Sequence, residues 1–170
     1  MSGLVQRGEA GLRADLAALA IAFEEQEHRA VFTVAESSRL DARIPGVHSK
    51  NLFLKDTGGA FWLVTVPAEA RIDLKALPAA IGGKRVSFAK PEDMERLLGI
   101  SPGSVTPLAM INAEPGSVRV VLEEGLAAAA RVNVHPLRNT ATISLAGYDI
   151  QRLLRHWGHA PLVAEIPTLH

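Results

Sequence analysis

Apolar residues recur at Leu12, Leu16, Leu19 and Phe23, a spacing of three and four that predicts an amphipathic opening helix. Residues 23–28 and 30–34 then read as two extended pieces joined by a turn, and residues 35–40 as the start of a short helix. Ile44-Pro45-Gly46-Val47 is a turn by its Pro-Gly chemistry. It delivers the chain to His48-Ser49-Lys50-Asn51-Leu52-Phe53-Leu54-Lys55-Asp56, where a polar tetrapeptide runs into an apolar strand. Residues 52–54 and 61–66 flank Asp56-Thr57-Gly58-Gly59-Ala60, which predicts an antiparallel hairpin with Lys50 and Asn51 at the mouth of its first strand.

The second half alternates helical and extended patterns. Asp73 can cap a helix carrying Leu74, Leu77 and Ile81 and closed by Gly82-Gly83, and Val86-Ser87-Phe88 follows as a strand. Pro91, Glu92 and Asp93 suit the first turn of another helix, Met94, Leu97 and Leu98 give it an apolar face, and Gly99 ends it. Residues 108–111 and 118–122 read as a second hairpin around Asn112-Ala113-Glu114-Pro115-Gly116. A short helix over 125–131, a strand over 140–145, a final helix through Tyr148, Ile150, Leu153, Leu154 and Trp157, and an edge strand at Leu162-Val163 complete the pattern. These elements predict an α+β (mixed α/β) domain whose curved, barrel-like, mostly antiparallel or mixed sheet is surrounded by helices.

Composition narrows the function classes. At 170 residues and 48% apolar content, a single domain over 1–170 is expected. Eighteen basic residues balance eighteen acidic ones, so there is no global field to drive indiscriminate nucleic-acid binding and no DNA partner is expected. Any nucleic-acid contact must come from a local patch, and Arg71, Lys75, Lys84, Arg85 and Lys90 form one candidate. The absence of cysteine excludes disulfides, thiolate nucleophiles and thiolate metal sites. The apolar run over 16–23 is too short to span a bilayer and is followed by Glu24-Glu25-Gln26-Glu27, so no membrane segment and a cytoplasmic location are expected.

Several motifs invite a reaction and fail on context. Gly99-Ile100-Ser101-Pro102-Gly103 fits the G-x-S-x-G pattern, but a helix precedes it and Pro102 has no N–H for an oxyanion hole. His156 and His159 are spaced for a shared metal, yet Gly158 interrupts the helix and no third ligand joins them, so no metal is expected. Gly82-Gly83-Lys84 lacks the first glycine of a phosphate loop, since Pro78 stands there. His135-Pro136 remains open between a structural and a binding role. Ser101-Pro102-Gly103-Ser104-Val105-Thr106-Pro107 holds two prolines and a glycine, so it can present backbone N–H groups at low entropic cost, as the rim of a preformed pocket.

Four segments in register carry a family resemblance: residues 27–34, residues 48–56, residues 97–107, and His135-Pro136-Leu137-Arg138-Asn139-Thr140. Together they resemble the YbaK/ProX family of aminoacyl-tRNA editing domains, and within it the freestanding prolyl-tRNA editing proteins. The resemblance implies a curved mixed sheet with a pocket between the lysine strand and the loop with glycine and proline four apart. The family lysine matches Lys50 with Asn51 beside it, the loop matches Gly103 to Pro107 with Ser104, Val105 and Thr106 between, and His135 falls in the histidine-proline motif. Ser49 stands where threonine is common, and Asn112-Ala113 where Asn-Asp is common.

The implied activity is deacylation of mischarged tRNA(Pro), with alanyl-tRNA(Pro) first and cysteinyl-tRNA or another small aminoacyl-tRNA as the alternative. The implied partners are the acceptor end of tRNA(Pro) and, as a candidate, prolyl-tRNA synthetase. An aminoacyl ester is already activated, so positioned water and oxyanion stabilisation suffice and no cofactor is expected. Lys50 is then the expected catalytic residue, anchoring the terminal adenosine or the ester, while the loop backbone polarises the carbonyl. Phe32 and Val34, with Leu108 and Met110, are candidate walls of an alanine-sized sieve, and a plain core role fits each equally well. A noncatalytic tRNA- or synthetase-binding module, and a small-molecule hydrolase using Ser101 or Ser104, are the rival classes.

Overall fold

Asp56 accepts four hydrogen bonds at the turn between the two longest strands, and the rest of the sheet is laid out from that hairpin. The structure, a computed structural model, describes residues 7–30, 39–40 and 42–169. In chain order the elements are helix α1 (Gly8–Ala18), strands β1 (Glu24–Glu27), β2 (Val47–Asp56) and β3 (Phe61–Pro67), helix α2 (Leu77–Ile81), β4 (Val86–Phe88) and helix α3 (Pro91–Leu98). Two 3₁₀ turns (Pro102–Ser104 and Pro107–Asn112) lead to β5 (Arg119–Glu123), helix α4 (Glu124–Ala128), β6 (Val132–Val134), β7 (Ala141–Leu145), helix α5 (Gly147–His156) and β8 (Leu162–Ala164). Of the pieces expected over 30–34 and 35–40, residues 31–38 lie outside the described residues, and Arg39 and Leu40 are helical.

Among the described residues the strands form one eight-stranded sheet in the order β1-β7-β6-β2-β3-β5-β8, with β4 also paired to β2. Pairs β1/β7, β6/β7, β2/β3 and β2/β4 are antiparallel, whereas β2/β6, β3/β5 and β5/β8 are parallel. The sheet is therefore mixed. The second hairpin expected over 108–122 does not form: residues 107–112 are a 3₁₀ segment buried at every position. Its apolar run reads like a strand, but Pro107 opens the turn and Thr106 Oγ1 accepts from the Leu108 N–H at 3.3 Å. β5 pairs instead in parallel with β3.

Side-chain alternation gives the sheet two cores. On one face Phe53 and Leu63 meet Leu12 and Leu16 of α1, Leu108 and Met110 of the 3₁₀ segment, and Leu153 of α5. On the other, Leu54, Trp62, Val64 and Val66 pack with Leu77 and Ile81 of α2 and with Ile166. The first face is called inner below, and the second outer. α1 stops at Ala18, so Phe23 packs from beyond the helix. Among the described residues no helix is long and apolar enough to cross a membrane.

The hairpin turn rests on one carboxylate. Asp56 accepts from Gly58 N at 2.9 Å, Ala60 N at 3.0 Å, Trp62 Nε1 at 3.0 Å and Lys84 N at 3.4 Å. The Trp62 indole hydrogen bond, followed by the backbone donors, holds the carboxyl below its ordinary value although burial opposes this. A lowered carboxylate stabilises the fold above its unfolded pKa of about 4, and that contribution is lost as pH falls through the folded value. Asp56→Ala is expected to cost about 3 kcal/mol in urea denaturation at pH 7. Repeating the titration at pH 3 should narrow the gap from wild type, and a gap independent of pH would show that the charge is immaterial.

Candidate functional site in a gap of the sheet

β2 is shared by two halves of the sheet, and this creates an opening. β6 pairs with its first two residues, Val47 and His48, and β4 pairs with its last three, Leu54 to Asp56. Among the described residues, positions 49–53 have no strand partner on that side; the Ala89 N–H reaches the Phe53 carbonyl at 2.9 Å, and the Ser49 hydroxyl donates to the Asn133 carbonyl of β6 at 2.6 Å. Lys50 and Asn51 sit at this gap. They are the fourth and fifth residues of a ten-residue strand, not its mouth, and β3 fixes both from behind through Lys50↔Val66 and Asn51↔Thr65.

Adjacent residues of a strand face opposite ways, so Lys50 and Asn51 part company. Asn51 faces inward. Its Nδ2 donates to the Val105 carbonyl at 3.0 Å, and its Oδ1 accepts from the hydroxyl of fully buried Thr65 at 2.7 Å. The amide thereby ties the 103–107 loop to the strand, with every polar atom of the link satisfied. Lys50 lies on the outer face, two residues from His48. The parallel pairing of β2 with β6 ends at His48↔Asn133, and His135 follows two residues further along that neighbouring chain, just past the end of β6.

The loop reaches the same gap from its far side. Gly103 lies so near Asn139 that an added Cβ would stand 3.2 Å from the Asn139 amide nitrogen. Asn139 belongs to the connection from His135-Pro136 to β7, so the loop and the histidine motif are neighbours. Ser104 is buried and Thr106 fully so. Pro107 is buried at the head of its 3₁₀ turn. The structure thus gathers Lys50, Asn51, the 103–107 loop and the His135 segment around one stretch of β2. Phe32 and Val34 lie outside the described residues.

A polar network on the outer face went unrecognised as a unit in the sequence. His135 Nδ1 bonds the Ala141 carbonyl at 2.9 Å; since a carbonyl only accepts, Nδ1 carries a proton. The same logic applies to His28, whose Nδ1 donates to the Arg29 carbonyl at 2.7 Å and whose Nε2 accepts from the Thr142 hydroxyl at 2.9 Å. Asn133 Nδ2 donates to His48 Nδ1 at 3.2 Å and to the Pro45 carbonyl at 3.1 Å, while Asn133 Oδ1 accepts from Ser144. The signal was the period-two recurrence of polar residues at Asn133 and His135 and at Thr142 and Ser144, with Val132, Val134, Ile143 and Leu145 facing the core between them.

The other motifs resolve structurally. Ser101 precedes the first 3₁₀ turn after α3, a helix-to-turn context unlike a nucleophile elbow. His159 is buried, with Nε2 on the Ala113 carbonyl at 3.0 Å, and burial lowers its pKa, favouring the neutral ring. Among the described residues no group of three or more His, Asp or Glu is placed to hold a metal. Lys84 and Arg85 bond at the hairpin turn through Asp56 and Thr57. That end of β2 is six residues, about 20 Å, from Lys50.

Comparison with known proteins adds family evidence to this geometry. Residues 28–153 match the aminoacyl-tRNA editing domain family model. The chain is 33% identical over 141 residues to the prolyl-tRNA editing protein ProX of Acetoanaerobium sticklandii, covering 82% of this chain and 86% of that protein. It is 37% identical over 159 residues to prolyl-tRNA synthetase associated domain-containing protein 1 of Bos taurus, covering 91% and 92%. A crystal structure of a proposed trans-editing enzyme for prolyl tRNA synthetase superposes with a TM-score of 0.72 at 20% identity, covering 97% of this chain and 99% of that one, which is a likeness of fold.

Proposed function

Because the chain belongs to the aminoacyl-tRNA editing domain family, we propose that it is a trans-editing hydrolase for mischarged tRNA(Pro), with alanyl-tRNA(Pro) as its substrate. The observation that carries this reading is the convergence at the gap in β2. A half-buried lysine, an amide-tethered loop and a histidine that donates to the Ala141 carbonyl lie about one opening in a sheet that β3 holds from behind. The ProX relative is named for editing prolyl-tRNA, which supports tRNA(Pro) as the acceptor. The name of the Bos taurus relative supports prolyl-tRNA synthetase as the partner that supplies the mischarged product.

In the proposed reaction a water oxygen attacks the ester carbonyl, and the carbonyl oxygen becomes an oxyanion beside Lys50. Donors already in place lower the cost of that charge because nothing reorganises during the reaction. The tetrahedral carbon then expels the ribose oxygen, which takes up the proton released by water. Free alanine and tRNA with an intact terminal hydroxyl are the products. Lys50 anchors the ester end, the 103–107 backbone polarises the carbonyl, and the neighbouring ribose hydroxyl orients the water. Asn51 acts as a positioning residue, since both ends of its amide are committed to Thr65 and Val105.

Editing answers a physical limit on selection. A synthetase pocket shaped for proline rejects the smaller alanine only through missing methylene contacts, worth about 1–3 kcal/mol. The test is deacylation of alanyl-, cysteinyl- and prolyl-tRNA(Pro) by purified protein. Rapid loss of alanine with prolyl-tRNA(Pro) spared is the expected result. Preference for cysteine would keep the chemistry and change the substrate, and stable esters throughout would leave a binding module.

A further inference from the structure

A cavity of about 330 Å³ opens beside β1, lined in part by His28, Arg29, Arg39, Leu40 and Arg43. The three arginines are exposed. Glu27 also lines the cavity, but Arg138 Nη2 already donates to its carboxylate at 3.0 Å. The arginines that form ion pairs among the described residues are Arg7, Arg13, Arg96, Arg131, Arg138 and Arg152, and none of these pairs uses Arg29, Arg39 or Arg43. Among the described residues, three cations thus line a concave space whose one carboxylate is already paired with Arg138.

His28 links this cavity to the gap in β2. Its ring centroid is 6.5 Å from that of His135, and its Nε2 accepts from Thr142 on the outer face of the sheet. Its backbone N–H is pinned to the Thr140 carbonyl at 2.9 Å. The ring pair therefore joins the arginine cavity, through His28, to the His135 segment that follows β6. The chain has no net charge to attract a polyanion as a whole, so affinity for one must be local. Guanidinium forks match phosphate oxygens in pairs, and single-stranded nucleic acid commonly follows a basic groove.

We infer that this cavity binds the phosphate backbone of the single-stranded 3′ end of tRNA, just before the esterified nucleotide. The inference rests on the proposed function for the direction in which the strand runs. The test is binding of uncharged tRNA(Pro), measured by filter retention over a range of salt concentrations, with wild type and the triple variant Arg29→Gln/Arg39→Gln/Arg43→Gln. A second triple, Lys75→Gln/Lys84→Gln/Arg85→Gln, removes equal charge elsewhere. Loss of three phosphate contacts should raise Kd about tenfold or more near physiological salt and flatten the slope of log K against log salt by about two. The second triple should change Kd less than threefold.

Unchanged Kd and slope in the arginine triple overturn the inference, as does an equal loss in the lysine-rich triple, which would reduce the effect to general charge. Arg43→Gln alone, at an exposed position, should give a slope change of about one and keeps the test readable if the triple folds poorly. Because the tRNA is uncharged, the result stands apart from catalysis. Wild type that binds with the arginine-dependent slope but hydrolyses no aminoacyl ester would strike the proposed function and leave the cavity assignment intact.

Discussion

Lys50→Ala is expected to lower kcat/KM for alanyl-tRNA(Pro) by about 10²- to 10³-fold, the loss typical of removing one preorganised donor to an oxyanion. Lys50 stands on a strand paired with β3 from Ser49 to Lys55, with Val66 buried opposite, so its backbone has little freedom to move. None of the ion pairs among the described residues uses it, which leaves the ammonium available to a substrate. The same fact predicts a small effect on the fold, within about 0.5 kcal/mol by urea denaturation. Lys50→Met, which keeps the apolar stem and removes the charge, should match Lys50→Ala in rate. Single-turnover kinetics decide between roles. A fall in kcat places the ammonium at the reacting ester, whereas a rise in KM alone makes it an anchor for the terminal nucleotide. Full activity in both variants would remove Lys50 from the mechanism.

Local chemistry in the chain foretold the elements wherever period and punctuation agreed. Leu12 and Leu16 marked α1, Pro91 and Gly99 bracketed α3, and Asp56 with Gly58-Gly59 closed the β2–β3 hairpin. Residues 107–112 misled because burial on all sides erases the alternation that separates a strand from a 3₁₀ turn. The gap in β2 was hidden for a different reason: it depends on β6, some 85 positions away, pairing with only His48 and Val47. Neither partner's pattern encodes where their pairing stops. Composition and spacing likewise could not show that Lys50 and Asn51 face opposite ways at the site, because the strand was expected to begin later than it does. The resemblance of four separated segments supplied what no single segment held, namely the expectation that Lys50, the 103–107 loop and His135 share one site.

A second large effect is expected far from the gap. Gly147→Ala should destabilise the protein by about 3 kcal/mol or more, through overpacking against backbone that has no side chain to yield. Gly147 opens α5, a position where glycine is a poor helix former and offers no cap of its own. Packing explains it. A Cβ built there would stand 1.9 Å from the Leu126 carbonyl oxygen and 2.7 Å from that of Ala127, both in α4. The contact is fixed from both sides: Gly147 N donates to the Ala129 carbonyl at 2.9 Å, Gln151 Nε2 donates to the Ala127 carbonyl at 3.1 Å, and Leu126, Ile150, Leu153 and Leu154 are buried. Relief would require α5 to lift from α4, exposing those side chains. Gly59→Ala offers the contrast, because its φ of 88° strains any other residue while open space surrounds the new methyl. That variant should lose only about 1–2 kcal/mol. Urea midpoints for the two variants, read with wild type, check the argument: if Gly147→Ala costs no more than Gly59→Ala, the α4–α5 approach is slack and the close contact carries no stability.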